Sequence, residues 1–180
     1  MSHLWRKSNN WHLKSSARIN NWRKRMYKEI RRKDRALDNA SAFAVLKNSA
    51  YGVLSTADKD NQPYGAPVSY VVVDNSIFIH SATEGHKLEN IMSNSKVSFC
   101  VVGKTRLLPD KFSTQYESAI VFGTALIVEG ENQKREVLKA VLAKYSPDHM
   151  EAGETYINQL FSKVVVIKVS IDHITGKSRK

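Results

Sequence analysis

The chain contains a single cysteine in 180 residues, Cys100. That excludes an internal disulfide framework and a zinc site built on several thiolates. Glycine (8) and proline (4) are too few for a collagen-like or low-complexity chain. No run of about 18 apolar residues occurs, so no helical membrane span is predicted. No apolar stretch of the needed kind follows the basic N-terminal residues, so a secretory signal is not expected. Several signatures of familiar chemistry are also missing: the GxGxxG fingerprint, the GxxxxGK phosphate loop, HExxH and the Gly-x-Ser-x-Gly elbow. The histidines His3, His12, His80, His86, His149 and His173 are scattered. Only His80 and His86 lie close together, and no Cys or carboxylate cluster joins them at metal-ligand spacing, so no metal site is assigned.

Acidic residues are scarce in one region. Residues 1–35 hold 12 Lys or Arg and two acids, so they carry +10 of the net +11, and residues 36–180 carry only +1. The first segment also holds all three tryptophans, Trp5, Trp11 and Trp22. Its apolar residues follow no sustained period. Residues 1–25 are therefore read as a poorly ordered basic extension, and 26–180 as the folded domain. Contact with nucleic acid, contact with an anionic membrane surface, and no role at all are open uses of the extension. Met26 is a second possible start. The nearly neutral body carries no electrostatic footprint of a nucleic-acid binder. Its 42% apolar and 25% charged residues suit a soluble, cytoplasmic globular protein.

Strands dominate the body. Period-2 or continuous apolar runs predict strands over 51–57, 64–73, 76–81, 97–102, 117–128 and 164–171. Helices are expected at 41–48, with Ser41 as N-cap, at 86–93 and at 132–145, with a short one at 156–161. Val137, Leu138, Val141, Leu142 and Tyr145 form one stripe of the third. Residues 104–114 read as an irregular loop. Strict βαβ alternation is absent, so the expected class is mainly β with peripheral α: a six-stranded antiparallel barrel with flanking helices. Runs such as Val71-Val72-Val73 and Val164-Val165-Val166-Ile167 are apolar on both faces. One face would fill the barrel and the other would meet helices or a second subunit. Cys100, inside an apolar strand, is expected to be a buried small hydrophobe.

The segment richest in chemistry is Phe78-Ile79-His80-Ser81-Ala82-Thr83-Glu84-Gly85-His86-Lys87-Leu88. A strand ends, a glycine turn follows, and a helix begins. Main-chain N–H groups at a helix start favour an anion. Ser81 and Thr83 can add hydroxyl donors, and Lys87 adds a full positive charge. On spacing alone, a phosphate seat and an ordinary turn with a solvated lysine fit this segment equally.

These residues resemble the flavin-binding segment of the FMN-binding split barrels, the pyridoxamine 5′-phosphate oxidase-like superfamily. Within it the pattern is most like the Nim-type 5-nitroimidazole resistance proteins. The resemblance runs through Arg32-Lys33-Asp34-Arg35, Tyr51-Gly-x-Leu-Ser-Thr56, Pro63-Tyr-x-x-Pro67-x-x-Tyr70 and Ile79-His80-x-Ala82-x-x-Gly85-x-Lys87. It continues through Gln115-Tyr-x-Ser118-x-x-Val-Phe-Gly-Thr124 and Ser170-Ile-Asp-x-x-x-Gly176-Lys177. Six weak motifs in order cover about 31–178.

The resemblance implies a split barrel acting as a homodimer, with FMN at the subunit interface. It implies main-chain contact to the flavin ring from Val68, Ser69 and Tyr70, and a phosphate held by His80, Ser81, Ala82 and Lys87. His80 aligns with a residue regarded in Nim-type proteins as part of the active site. It would donate a hydrogen bond or proton to a nitro group being reduced. Tyr116 and Lys177 would approach from the partner subunit. The implied activity is FMN-dependent reduction of a small acceptor such as a nitroimidazole, with a nicotinamide as a possible donor. Two alternatives stay open: a flavin- or haem-binding stress protein with little turnover, and an oxidase like the pyridoxamine phosphate enzymes. The chain ends Thr175-Gly-Lys-Ser-Arg-Lys180, without the Arg- and His-bearing segment that holds vitamin B6 in those oxidases, so that last activity is not expected.

Overall fold

The computed structural model describes residues 27–180, so the basic extension at 1–25 and the alternative start at Met26 lie outside the described residues. The chain divides at residue 33 into two units. In the first, Lys33 pairs with Glu29 four residues earlier. The second, Asp34–Lys180, carries the fold.

The fold opens with a short strand Ala36–Leu37 (β1) and the helix Asn39–Asn48 (α1). Asp38, not Ser41, caps this helix: its carboxylate accepts from the Ser41 N–H at 2.7 Å. An acceptor one turn upstream outcompetes the serine because it satisfies an orphan donor from outside the helix. Strands Gly52–Ala57 (β2), Pro63–Val68 (β3), Val71–Val73 (β4) and Ser76–Ala82 (β5) follow. The helix His86–Ser93 (α2) leads into two long strands, Lys96–Leu108 (β6) and Ser113–Ile127 (β7). Helices Glu131–Tyr145 (α3) and Met150–Leu160 (α4) precede the last strand, Val164–Arg179 (β8).

All described strand pairs are antiparallel. Their order is β3-β2-β6-β7-β8-β5-β4, with β1 against β8. The two ends of this path, β3 and β4, are consecutive in the chain and separated only by Ser69 and Tyr70. The sheet therefore curls round until its edges nearly meet, as a split barrel does. The expected class holds, with eight strands among the described residues instead of six.

Each difference has a local cause. The run 64–73 breaks at Ser69-Tyr70, where helix side chains hold the main chain. The presumed loop 104–114 is the far end of the β6–β7 hairpin, paired from Thr105↔Tyr116 to Leu108↔Ser113. Lys104, Thr105, Arg106 and Leu107 are exposed there, so no alternation of burial marks the strand. β8 likewise runs on to Arg179 because β7 pairs with it throughout. α4 begins at Met150 instead of 156.

The barrel interior holds Leu54, Ile77, Ile79, Phe99, Val121 and Val169, closed by Ala42 and Leu46 of α1. A second cluster lies outside β5 and β8, where Phe78 and Val166 meet Val137 and Leu138 of α3. β5 thus buries both faces, as a run apolar on both sides should. On β6 and β7, Val102, Ile120 and Phe122 stay exposed. Cys100, paired across the ladder with Ile120, is half-buried and not fully interior. Partial burial still raises its thiol above the ordinary pKa.

Candidate functional site

The corner between β5 and α2 has the chemistry that the sequence singled out. Gly85 sits at φ 125°, a conformation that L side chains rarely adopt, and nothing crowds the place a Cβ would take. Glycine is therefore needed here for the backbone, not for space. No side chain caps the helix that starts beyond it. In contrast with α1 and its Asp38, α2 has no side-chain acceptor at its start, and within its first turn the Leu88 N–H donates to the Gly85 carbonyl at 2.9 Å.

Alternation along β5 sends consecutive residues to opposite sides. Ser81 is buried on the side of Ile77 and Ile79, whereas His80 and Ala82 are exposed on the side of Phe78. The Ser81 hydroxyl is buried and has no hydrogen-bond partner among the described residues. His80 is close enough to Lys87 to feel its charge: partial burial first, and Lys87 second, hold the imidazole below its ordinary pKa. At neutral pH it is therefore uncharged. The structure thus couples His80 to Lys87 and turns the Ser81 side chain to the other side of the strand from His80.

Buried polar contacts fix this corner against the sheet edge. Asn90 of α2 donates to the Thr56 hydroxyl at 2.9 Å, and both residues are buried. The rings of Tyr64 on β3 and His86 lie 4.2 Å apart between centroids. Thr56 is therefore a strand residue with a satisfied hydroxyl. Among the described residues, β3 ends the sheet path and pairs only with β2. Pro63 and Pro67 have no N–H to give a ladder, so they suit positions that face away from β2. By the alternation of an antiparallel pair, the main-chain groups of Gly65 and Ser69 face the same open side. Val68 and Ser69 are half-buried at the far end of this edge, about 13 Å along the strand from Tyr64.

Tyr70 differs from its neighbours. It is completely buried, edge-on to Phe99 at 4.8 Å, and its hydroxyl donates to the Leu46 carbonyl. Its N–H donates to the Tyr145 hydroxyl at 2.9 Å, and that hydroxyl lies 2.7 Å from the Ala50 carbonyl, to which it donates. The Lys144 ammonium donates to the carbonyls of Ser49 and Tyr70 at 3.0 and 3.1 Å and lies 4.0 Å over the Tyr70 ring. Burial holds Lys144 below its ordinary pKa and drives the Tyr70 phenol far above its own. Ring, N–H, carbonyl and hydroxyl of Tyr70 are all engaged within the protomer.

Tyr116 belongs elsewhere. It lines a cavity of about 800 Å³ with Arg106, Gln115 and Arg179, to which no residue of the β5–α2 corner contributes. Lys177 is half-buried on β8, opposite Ala36 and Ser118. Sequence reasoning missed Lys144 and the role of Tyr145, which it read only as the end of a helix stripe. Their partners are 74 to 95 residues away in the chain, beyond any local pattern. Among the described residues, no group of three His, Cys, Asp or Glu could hold a metal, and no helix is long and apolar enough to cross a membrane.

A family model described as pyridoxamine 5′-phosphate oxidase matches residues 38–178. Among solved structures, a candidate 5-nitroimidazole antibiotic resistance protein of Bacteroides thetaiotaomicron is 23% identical, with a TM-score of 0.68 over 79% of this chain and 85% of that one. A conserved hypothetical protein of Mycobacterium tuberculosis is 20% identical, TM-score 0.71, over 83% and 90%. A FAD-binding protein of Mesorhizobium loti is 21% identical, TM-score 0.61, over 81% and 98%. At these identities the likeness is one of fold. No curated protein matches the sequence significantly.

Proposed function

The chain belongs to the pyridoxamine 5′-phosphate oxidase family, and from that premise we propose that it is an FMN-dependent reductase of a small acceptor, working as a homodimer. The observation that carries this reading is the set of unsatisfied donors at the β5–α2 corner. A buried hydroxyl on Ser81 lacks a partner, the start of α2 lacks a cap, and Lys87 provides charge. A buried unpaired hydroxyl costs free energy unless a ligand satisfies it. A phosphate would accept from all of these groups, so the residues present fit a flavin mononucleotide. Val68 and Ser69 would lie along its ring system from the open edge of β3. Bound flavin would supply the electron transfer.

The chain's own residues bind, orient and protonate. Neutral His80 donates a hydrogen bond to the acceptor, and a nitro group is the acceptor that the family resemblance favours. The exposed Val102, Ile120 and Phe122 on β6 and β7 suit burial against a second copy. In that dimer Tyr116 and Lys177 come from the partner, which accords with the absence of any corner residue from the cavity that Tyr116 lines.

An absorption spectrum of the purified full chain, followed by titration with FMN, tests the reading. Yellow protein that is bleached anaerobically by reduced nicotinamide and reoxidised by metronidazole is the expected result. A Soret band in place of flavin absorbance would move the assignment to haem binding. Protein that binds FMN but is never reduced would make it a flavin carrier. Colourless protein indifferent to FMN overturns the proposal.

A further inference from the structure

The cavity that Tyr116 lines gathers positive charge. Its volume is about 800 Å³, and it lies between α1 and the far ends of β6, β7 and β8. Four of its lining residues are cations: Lys104 and Arg106 from β6, Arg179 from β8, and Lys180 just beyond. One is an acid, Glu117 of β7. Among the described residues, none of the four cations makes an ion pair.

Glu117 is committed to the main chain instead. Its carboxylate accepts the Lys104 backbone N–H at 3.1 Å, where the register between β6 and β7 shifts. A Cβ on Gly103 would strike the Glu117 side chain, so glycine there lets the acid lie close against the neighbouring strand. The acid thus closes a bulge, and the cations keep their charge. Like charges in a concave space focus a positive potential that an anion relieves.

The placement of the cations selects the anion. Arg106 lies opposite Gln115 on one flank of β7, and Arg179 lies opposite Tyr116 on the other. Two strand spacings, about 10 Å, separate their main chains. Two guanidinium forks approaching from opposite flanks suit a group with several phosphate oxygens, since each fork can hold a phosphate in a bidentate pair. Lys104 adds a point charge. β1 and α1 supply a different wall, where Leu37, Ala44 and Val45 leave apolar surface for a flat ring. Hydroxyl and amide groups of the kind that bond a sugar also line the space: Ser41 and Asn48 on α1, and Thr105, Gln115 and Ser178 on the strands. The volume exceeds what inorganic phosphate needs and falls within the range of ligand pockets.

We infer that this cavity binds a nucleoside diphosphate group, with its phosphates on Arg106, Arg179 and Lys104 and its base against Ala44 and Val45. The site shares no residue with the β5–α2 corner, so it stands independently of the reductase reading. Two sources carry this chemistry: a free nucleotide, and the corresponding half of a dinucleotide such as a nicotinamide donor.

Calorimetry on the full chain with ADP and adenosine tests the site, at about 0.15 M salt to screen loose attraction to the basic N-terminal residues. ADP should bind, and adenosine should bind about tenfold or more weakly. Arg106→Gln and Arg179→Gln leave the N-terminal charge intact, and each should weaken ADP by about tenfold or more. Arg179→Lys should recover only part of that loss, because it restores charge without the fork. Ala44→Trp, which fills the ring side from the exposed face of α1, should abolish binding. Lys59→Gln, in the turn between β2 and β3, should change nothing. NADP⁺ that binds as tightly as ADP assigns the group to a dinucleotide, and NADP⁺ that binds far more weakly assigns it to a free nucleotide. Absent ADP binding, equal affinity for ADP and adenosine, or ADP binding that neither arginine variant weakens overturns the proposal. Displacement of ADP by stoichiometric FMN also overturns it, by making the cavity part of the flavin's own seat. ADP binding by protein that never takes up FMN leaves this site standing and removes the reductase reading. FMN binding without ADP binding does the reverse.

Discussion

Tyrosine, serine and lysine side chains recur at two places in this molecule, and the two places handle them differently. At the β3–β4 junction, Tyr70 has a partner for every polar group, and Lys144 bridges two carbonyls. At the β5–α2 corner, among the described residues, the Ser81 hydroxyl is buried without a partner, no side chain caps the helix start, and Lys87 makes no ion pair. Both sets look equally chemical in sequence. A satisfied buried network rigidifies a fold, whereas an unsatisfied one carries a standing penalty that a ligand removes. By that criterion Tyr70 belongs to the structure of the protein, although it stands among the residues first assigned to flavin. On the function proposed above, Ser81 and Lys87 belong to the ligand site.

The sharpest way to break this contrast is Tyr70→Ala. It deletes a fully buried aromatic and strands the groups around it, so a loss of about 3–5 kcal/mol in urea unfolding is expected. FMN affinity of the molecules that remain folded should change little. A stable variant with lost FMN binding would move Tyr70 back to the ligand.

Lys87→Ala is the converse. FMN binding should weaken by about 1.5–3 kcal/mol, the scale of a charged hydrogen bond, which is roughly ten- to hundredfold. The unfolding midpoint of flavin-free protein should not move. Unchanged affinity by fluorescence titration removes Lys87 from the phosphate seat.

Ser81→Ala gives the smaller but more diagnostic effect, because two signs are expected to oppose. Removing an unpaired buried hydroxyl should leave the flavin-free protein as stable as before, or more stable by up to about 1 kcal/mol. FMN affinity should fall by about 0.5–1.5 kcal/mol. Loss of stability would mean that the hydroxyl has a partner in the unliganded protein, such as an ordered water, and the contrast between the two regions would narrow.

Much of this was legible in the sequence where a residue type has only one good use. Gly85 before His86 gave the start of α2, and the Ser146-Pro147 stop gave the end of α3. The runs apolar on both faces, Val71-Val72-Val73 of β4 and Val164 to Ile167 of β8, foretold a sheet covered on its outside. Other features were not legible, for physical reasons. The hairpin beyond Val102 has no buried face, so it leaves no period to detect. Successive residues His80 and Ser81 look like one cluster in a string of letters, but a strand turns them to opposite sides. The Tyr70 network depends on α3 returning to lie over distant strands, which no local spacing encodes.

The smallest expected effect concerns pH and again separates the two regions. His80 titrates below its ordinary value in the folded protein, through partial burial and then the charge of Lys87. The unfolded chain keeps the ordinary value near 6.5. As pH falls below that value, the unfolded state takes up a proton that the folded state does not. Stability contributed by His80 is therefore complete above pH 6.5 and is lost as pH falls through the folded pKa. His80→Gln should flatten that part of the profile, measured as the difference in urea midpoint between pH 7.5 and pH 5 against the unmodified chain. Lys87→Ala should flatten only the part due to charge. FMN bound at the corner should act in the same direction, because its phosphate neutralises Lys87 and makes protonated His80 less costly. A profile that His80→Gln leaves unaltered would mean that the imidazole feels neither burial nor its lysine neighbour. The corner would then be an ordinary solvated turn.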